Sequence, residues 1–129
     1  MARLVSEFFV SALLRRCAVE GVVAVLRRRG AAEAGAIFVK VDRLDGTADL
    51  YGPAPQALIV EGRGDRLFAP VLRGAFPGDV EERMRREMRF DSDLWLVEIE
   101  DREGRSFIDL VAPSDDALGR ESDARGNRD

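Results

Sequence analysis

Near the start of the chain, apolar residues recur every three or four positions: Val5, Phe8, Phe9, Ala12, Leu13 and Cys17. That period predicts an amphipathic helix over residues 5–19, stopped by Gly21. Ser6, Ser11, Arg15 and Arg16 fall largely outside the stripe. The pattern then changes. Val22–Leu26 and Ala36–Val41 are short runs rich in β-branched residues, and Gly30 and Gly35 bound the linker between them. Together they predict a β-hairpin. In the second run Ile37, Val39 and Val41 share one face, and Ala36, Phe38, Lys40 and Asp42 share the other. Asp45-Gly46 marks a turn, and Thr47–Tyr51 reads as a third strand. Pro53 and Pro55 confine the next piece to loop or sheet edge. Residues 57–60 are a short apolar run, Glu61–Asp65 a turn, and Leu67–Leu72 a further strand weakened by Pro70.

Pro77-Gly78-Asp79 opens a second helix, with Asp79 as the expected N-cap and Glu82 completing a capping box. Val80, Met84 and Met88 form its narrow apolar stripe. Glu81 with Arg85, and Glu82 with Arg86, have the spacing of i,i+4 ion pairs worth about 0.2–0.5 kcal/mol each. Leu94–Asp101 is the clearest strand: Trp95, Val97 and Ile99 point one way, and Leu94, Leu96, Glu98 and Glu100 the other. After a turn at Arg102-Glu103-Gly104, Ser106–Val111 is expected to return as its partner strand. Residues 114–129 hold a single large apolar residue, Leu118, and cannot bury enough surface to offset their ordering entropy. The expectation is an α+β fold: an antiparallel sheet of about five to seven strands flanked by two helices on one face. Residues 1–112 form one domain in this reading, and residues 113–129 an acidic disordered tail. One face of the sheet is expected to be apolar and the other ionic and wet.

Composition narrows the function classes. The chain has 129 residues, 34% of them charged, and a net charge of −4, whereas nucleic-acid binders usually carry a basic excess. Lys40 is the only lysine; the other basic residues are arginines. There is no histidine, which excludes Ser-His and Cys-His nucleophile pairs and the usual zinc sites. It also removes the side chain that most often moves protons near neutral pH. Cys17 is the one cysteine, so no internal disulfide can form, and its place on the apolar stripe makes it a core residue. No run approaches the roughly 20 apolar residues of a membrane span. Glu7 interrupts any signal-peptide core, so a cytoplasmic location is expected.

The candidate acid–base set is Lys40, Tyr51, Glu98 and Glu100, joined by Asp42 and Asp49. Neighbouring strands would let two carboxylates face one lysine and one tyrosine, and closely spaced carboxylates push their pKa values apart. The simpler reading, preferred here, is a solvated face of weak cross-strand ion pairs. Asp91 and Asp93 have the spacing of some divalent-metal carboxylate pairs, but the preferred reading is a helix-to-strand turn, where Asp and Ser satisfy local backbone groups. Arg27-Arg28-Arg29, with Arg15 and Arg16, is the densest basic cluster and a candidate for RNA or an acidic partner. On an extended strand Arg28 points away from Arg27 and Arg29, so the triplet does not make one patch. Gly62-Arg63-Gly64 reads as turn chemistry rather than a nucleotide cradle. Leu94 and Leu96, with Phe38, would place apolar area on the second sheet face, which suits a homodimer.

Glu33–Val41, Arg43-Leu44-Asp45-Gly46 and Leu50–Pro55 resemble one signature block of an uncharacterised bacterial family, domain of unknown function 1491. Arg89–Trp95 followed by Glu98–Arg102 looks like its second block, and the likeness would cover nearly all of residues 1–112. The resemblance implies a small cytoplasmic bacterial protein and brings no activity, cofactor or catalytic residue. The residues favour a non-catalytic binding or interaction module acting on a protein partner or on itself. No cofactor and no metal are assigned. The rivals are a carboxylate-based hydrolase or transferase using a divalent ion, and RNA binding through the arginines.

Overall fold

The computed structural model describes residues 5–55 and 66–111. In chain order the elements are α1 (Ser6–Val19), β1 (Val23–Arg28), β2 (Ile37–Asp42), β3 (Ala48–Pro53), β4 (Phe68–Ala75), α2 (Pro77–Phe90) and β5 (Trp95–Glu100). The five strands form one sheet in the order β1-β5-β2-β3-β4. β2 and β5 run parallel, and every other neighbouring pair is antiparallel. The fold is α+β. The apolar run at 57–60, the turn at 61–65 with its Gly62-Arg63-Gly64, and the tail from residue 113 lie outside the described residues.

The expected hairpin between β1 and β2 does not form, because β5 lies between them. The linker instead folds over the start of β5. Ala31 accepts from the Trp95 indole Nε1 at 2.8 Å, and its own N–H donates to the Asp93 carbonyl at 2.9 Å. The two glycines that suggested a hairpin serve this close approach: a Cβ on Gly30 or Gly35 would collide with the Asp93 carbonyl and the Trp95 ring. The same linker caps α1. Glu7 N–H donates to the Ala32 carbonyl and Ser6 N–H to that of Glu33, replacing a side-chain cap.

The helices lie on opposite faces of the sheet, not on one. Val10, Leu13 and Cys17 of α1 pack on Ile37, Val39, Val41, Tyr51, Trp95, Val97 and Ile99. Val80 and Met84 of α2 pack on Phe38, Ala48, Leu50, Leu94 and Leu96. Central strands covered on both sides are apolar on both sides, as a parallel pair requires. This corrects the expectation of a dry face and a wet face. Leu94 and Leu96 are fully covered by the chain's own helix, so they offer no surface to a partner.

Smaller differences have local causes. The buried line of α1 is Ser6, Val10, Leu13 and Cys17, which turns Phe8 out to solvent. The N-cap of α2 is Phe76 with Pro77 in its first turn, and Asp79 sits inside that turn rather than capping it. Glu81 does not pair with Arg85; the helix pairs are Arg83 with Glu87 and, more loosely, Arg85 with Glu82. Residues 106–111 form no strand beside β5, whose two edges β1 and β2 already occupy. That segment crosses to the start of β4, where Phe68 N–H donates to the Asp109 carbonyl and Val111 N–H to that of Phe68.

Candidate functional site

The structure brings Lys40 and Glu98 of the candidate acid–base set together and separates them from Tyr51 and Glu100. Lys40 of β2 lies beside Glu98 of β5, as the register of the two strands dictates. Its Nζ is 2.8 Å from Glu81 of α2 and 3.6 Å from Glu98. Arg27 of β1 completes the cluster, at 2.8 Å from Glu81 and 2.6 Å from Glu98. Hydrogen bonds from Arg27, then from Lys40, hold the Glu81 carboxyl down at about 2. Two basic and two acidic side chains thus satisfy one another, and Glu81 is far from the range of a general acid at neutral pH. Tyr51 lies on the other face of the sheet inside the α1 core, where burial pushes its phenol up. Glu100 is exposed at the strand end. Asp49 accepts from Arg43 and from the Gly74 N–H.

The remaining candidates also have local partners. Asp91 accepts from the Asp93 N–H at 2.9 Å, a turn contact, and Asp93 is exposed. Among the described residues no group of three or more His, Cys, Asp or Glu is placed to hold a metal ion. The arginine triplet is dispersed. A bulge between Leu26 and Arg28 aligns Arg28 with Leu96, so Arg27 and Arg28 share the α2 face. Arg28 donates to the Ser92 carbonyl, while Arg29 pairs with Glu7 and lies 5.4 Å from the Trp95 ring centroid. Cys17 is sealed in the core and burial pushes its thiol up, which makes it unreactive.

A different place gathers recognition chemistry. A cleft of about 200 Å³ opens between α1 and the segment after β5. Phe9, Ala12 and Leu13 form one wall, and Phe107 and Ile108 the other. Arg16, Arg66 and Asp109 supply its charges. The two walls are joined twice, and Arg66 and Ser6 brace the α1 side. Arg16 donates to the Phe107 carbonyl at 3.0 Å. The Phe9 and Phe68 ring centroids lie 5.5 Å apart with the planes tilted by 36°, and Phe68 carries the backbone bonds to the far wall. Arg66 donates to Ser6 Oγ and lies over the Phe9 ring, while Ser6 donates to the Gly35 carbonyl at 2.6 Å.

The far wall is held firmly. Asp101 accepts from the Arg105 backbone and guanidinium, and the guanidinium keeps its carboxyl below the usual range. Phe107 has a φ of 61°, a left-handed backbone conformation rare for so large a residue. Such geometry costs about 1–3 kcal/mol and concentrates at ligand-binding positions. In sequence, residues 106–111 have the pattern of a strand, which hides this cleft. The available signal was Arg16, a polar residue directly beside the apolar line of α1.

A family model described as "Protein of unknown function (DUF1491)" matches residues 4–109. A solution structure of a protein from A. tumefaciens is 44% identical, with a TM-score of 0.75, over 87% of this chain and 98% of that one. A crystal structure of a DUF1491 family protein from Caulobacter crescentus is 38% identical, with a TM-score of 0.70, over 84% of this chain and 98% of that one. An NMR structure from Caulobacter crescentus gives 38% and 0.70 over 87% of this chain and 100% of that one. Comparison with curated proteins yields no match.

Proposed function

We propose that this chain, which belongs to the DUF1491 family, is a non-catalytic protein-interaction module that takes an apolar side chain of its partner into the α1 cleft. The observation that carries this reading is the cleft itself: aromatic and aliphatic walls, a strained Phe107 and an exposed arginine at one place. Its size argues for a protein partner. Small-molecule sites occupy roughly 300–1,000 Å³, and about 200 Å³ suits one buried anchor side chain instead. Arg16 spends one guanidinium N–H on the Phe107 carbonyl and has others to offer. An acidic group flanking the anchor would meet them. The self-satisfied Arg27–Glu81–Lys40–Glu98 cluster supports the non-catalytic part of the reading. The bacterial cytoplasm is the proposed location, supported by the source organisms of the similar structures and by a lone buried thiol.

The test is affinity capture from the native cell, with quantitative mass spectrometry, using the wild-type chain, Ala12→Trp and Arg16→Glu. Ala12 is exposed on α1, so Ala12→Trp should leave the melting curve unchanged, whereas Arg16→Glu also gives up the bond to the Phe107 carbonyl and is used at a temperature where its melting curve shows it folded. The expected result is a protein retained by the wild type and lost from both variants. A specific partner held equally by all three would place recognition elsewhere and end this reading.

A further inference from the structure

The cleft beside α1 does not stop at its own rim. A shallower groove of about 430 Å³ continues from it along the helix, lined by Ser11, Ala12, Arg15, Arg16 and Val19, and the two share Ala12 and Arg16. Val19 is 77% exposed there. Arg15 is exposed and holds no ion pair among the described residues. Arg16 has donors to spare beyond its bond to the Phe107 carbonyl. An apolar pit beside two arginines is complementary to an apolar side chain that follows acidic ones. The chain supplies that pattern itself, just past the far wall. Phe107, Ile108 and Asp109 line the cleft, and Val111 is bonded to Phe68. The next residues run Ala112-Pro113-Ser114-Asp115-Asp116-Ala117-Leu118-Gly119. That stretch holds acids and no base, and Leu118 is the single large apolar residue between 112 and 129.

We infer that the cleft has an occupant within the chain: Leu118 seats between Phe9 and Ile108, and Asp115 and Asp116 meet Arg15 and Arg16. The inference rests on the reading of the cleft as a site for one apolar side chain, and it names what holds that site before a partner arrives. Reach permits it. Seven residues lead from Val111 to Leu118 and span up to about 23 Å, while the 14 residues of α1 run about 21 Å. One leucine and two exposed ion pairs would bind weakly as a separate peptide. The tether changes this by holding the segment at a local concentration on the order of millimolar. The tail therefore fills the cleft part of the time and gives way to a partner that brings more contacts. Until it does, the partner's apparent affinity is reduced by the fraction of chains whose cleft is open.

Methyl NMR spectra of the full chain test this, comparing wild type with Leu118→Ser, with Asp115→Asn plus Asp116→Asn, and with Ala12→Trp. In Leu118→Ser the Leu13 and Ile108 methyl resonances should move, while those of Val80, on the other face of the sheet, stay in place. The paired Asp→Asn variant should move the same resonances part of the way in the same direction. In Ala12→Trp the Leu118 methyls should shift to the positions of an unstructured peptide. Leu13 and Ile108 methyls that stay in place in either tail variant, or Leu118 methyls already at unstructured positions in the wild type, overturn the inference. The capture experiment fails separately. A partner still lost from Ala12→Trp and Arg16→Glu, with silent tail variants, keeps the cleft's function and ends the tail's part in it. Methyl shifts with no partner captured keep the tail in the cleft and end the interaction reading.

Discussion

Ser6 shows how one polar side chain can matter as much as its apolar neighbours. It is fully buried, donates to the Gly35 carbonyl and accepts from Arg66, tying α1 to the linker and to the back of the cleft. Ser6→Ala removes both bonds and leaves the Gly35 carbonyl without the serine donor, which costs about 1–3 kcal/mol. The urea midpoint should fall by that amount divided by the m-value, which itself should not change. Glu81 makes a second residue-scale case. Arg27 and Lys40 lower its carboxyl from an ordinary 4.5 to about 2. A folded-state pKa below the unfolded one means stability that is fully present above the ordinary value and lost as pH falls through the lowered one. Stability should therefore decline between about pH 4.5 and pH 2, and Glu81→Gln should flatten that decline while lowering the neutral plateau. Urea midpoints measured across this range check both statements.

At the scale of elements, the linker between β1 and β2 acts as a clamp on α1 and β5 together. Gly35→Ala would drive a methyl into the Asp93 carbonyl and the Trp95 ring, costing about 1–3 kcal/mol. Trp95 is the only tryptophan, so its emission should move to longer wavelength as the indole loses its bond to Ala31. Gly78, in the first turn of α2, has open space around its Cα, and Gly78→Ala should stabilise by about 0.4–1 kcal/mol. The opposite signs separate close approach from backbone entropy. The individual elements were legible because their periods are local: β2, β3, α2 and β5 lie where alternation and the Val80-Met84-Met88 stripe put them. Strand order was not legible. The pairing of Val25 with Glu98 joins distant segments, and no turn residue records it. A glycine needed for close packing looks the same in sequence as one needed for a turn, so Gly30 and Gly35 pointed to a hairpin. The cleft stayed hidden for a related reason. Phe107-Ile108 has the composition of a strand, and only the occupied edges of β5 turn it away.

For the whole molecule, the consequence of one helix on each face is a core divided by its own sheet. The α1 cluster includes Val39, Val97 and Ile99, the α2 cluster Leu50, Leu94 and Leu96, and among the described residues no side chain belongs to both. The sheet backbone between them is stiffened by its ladders, so strain from a cavity on one side has little path to the other. Val10 and Val80 sample the two halves, each nearly inaccessible to solvent and each on its own helix. Val10→Ala and Val80→Ala should each cost about 1.5–3 kcal/mol from lost burial and the cavity left behind. The double variant should lose the sum to within about 0.5 kcal/mol, since sites without shared partners act independently. Val10→Ala with Leu13→Ala, both in the α1 cluster, should depart from additivity by more than that. Urea unfolding of the wild type, the three single variants and the two double variants measures the difference. Strong coupling between Val10 and Val80 would mean that the sheet transmits strain and that the two halves behave as one core.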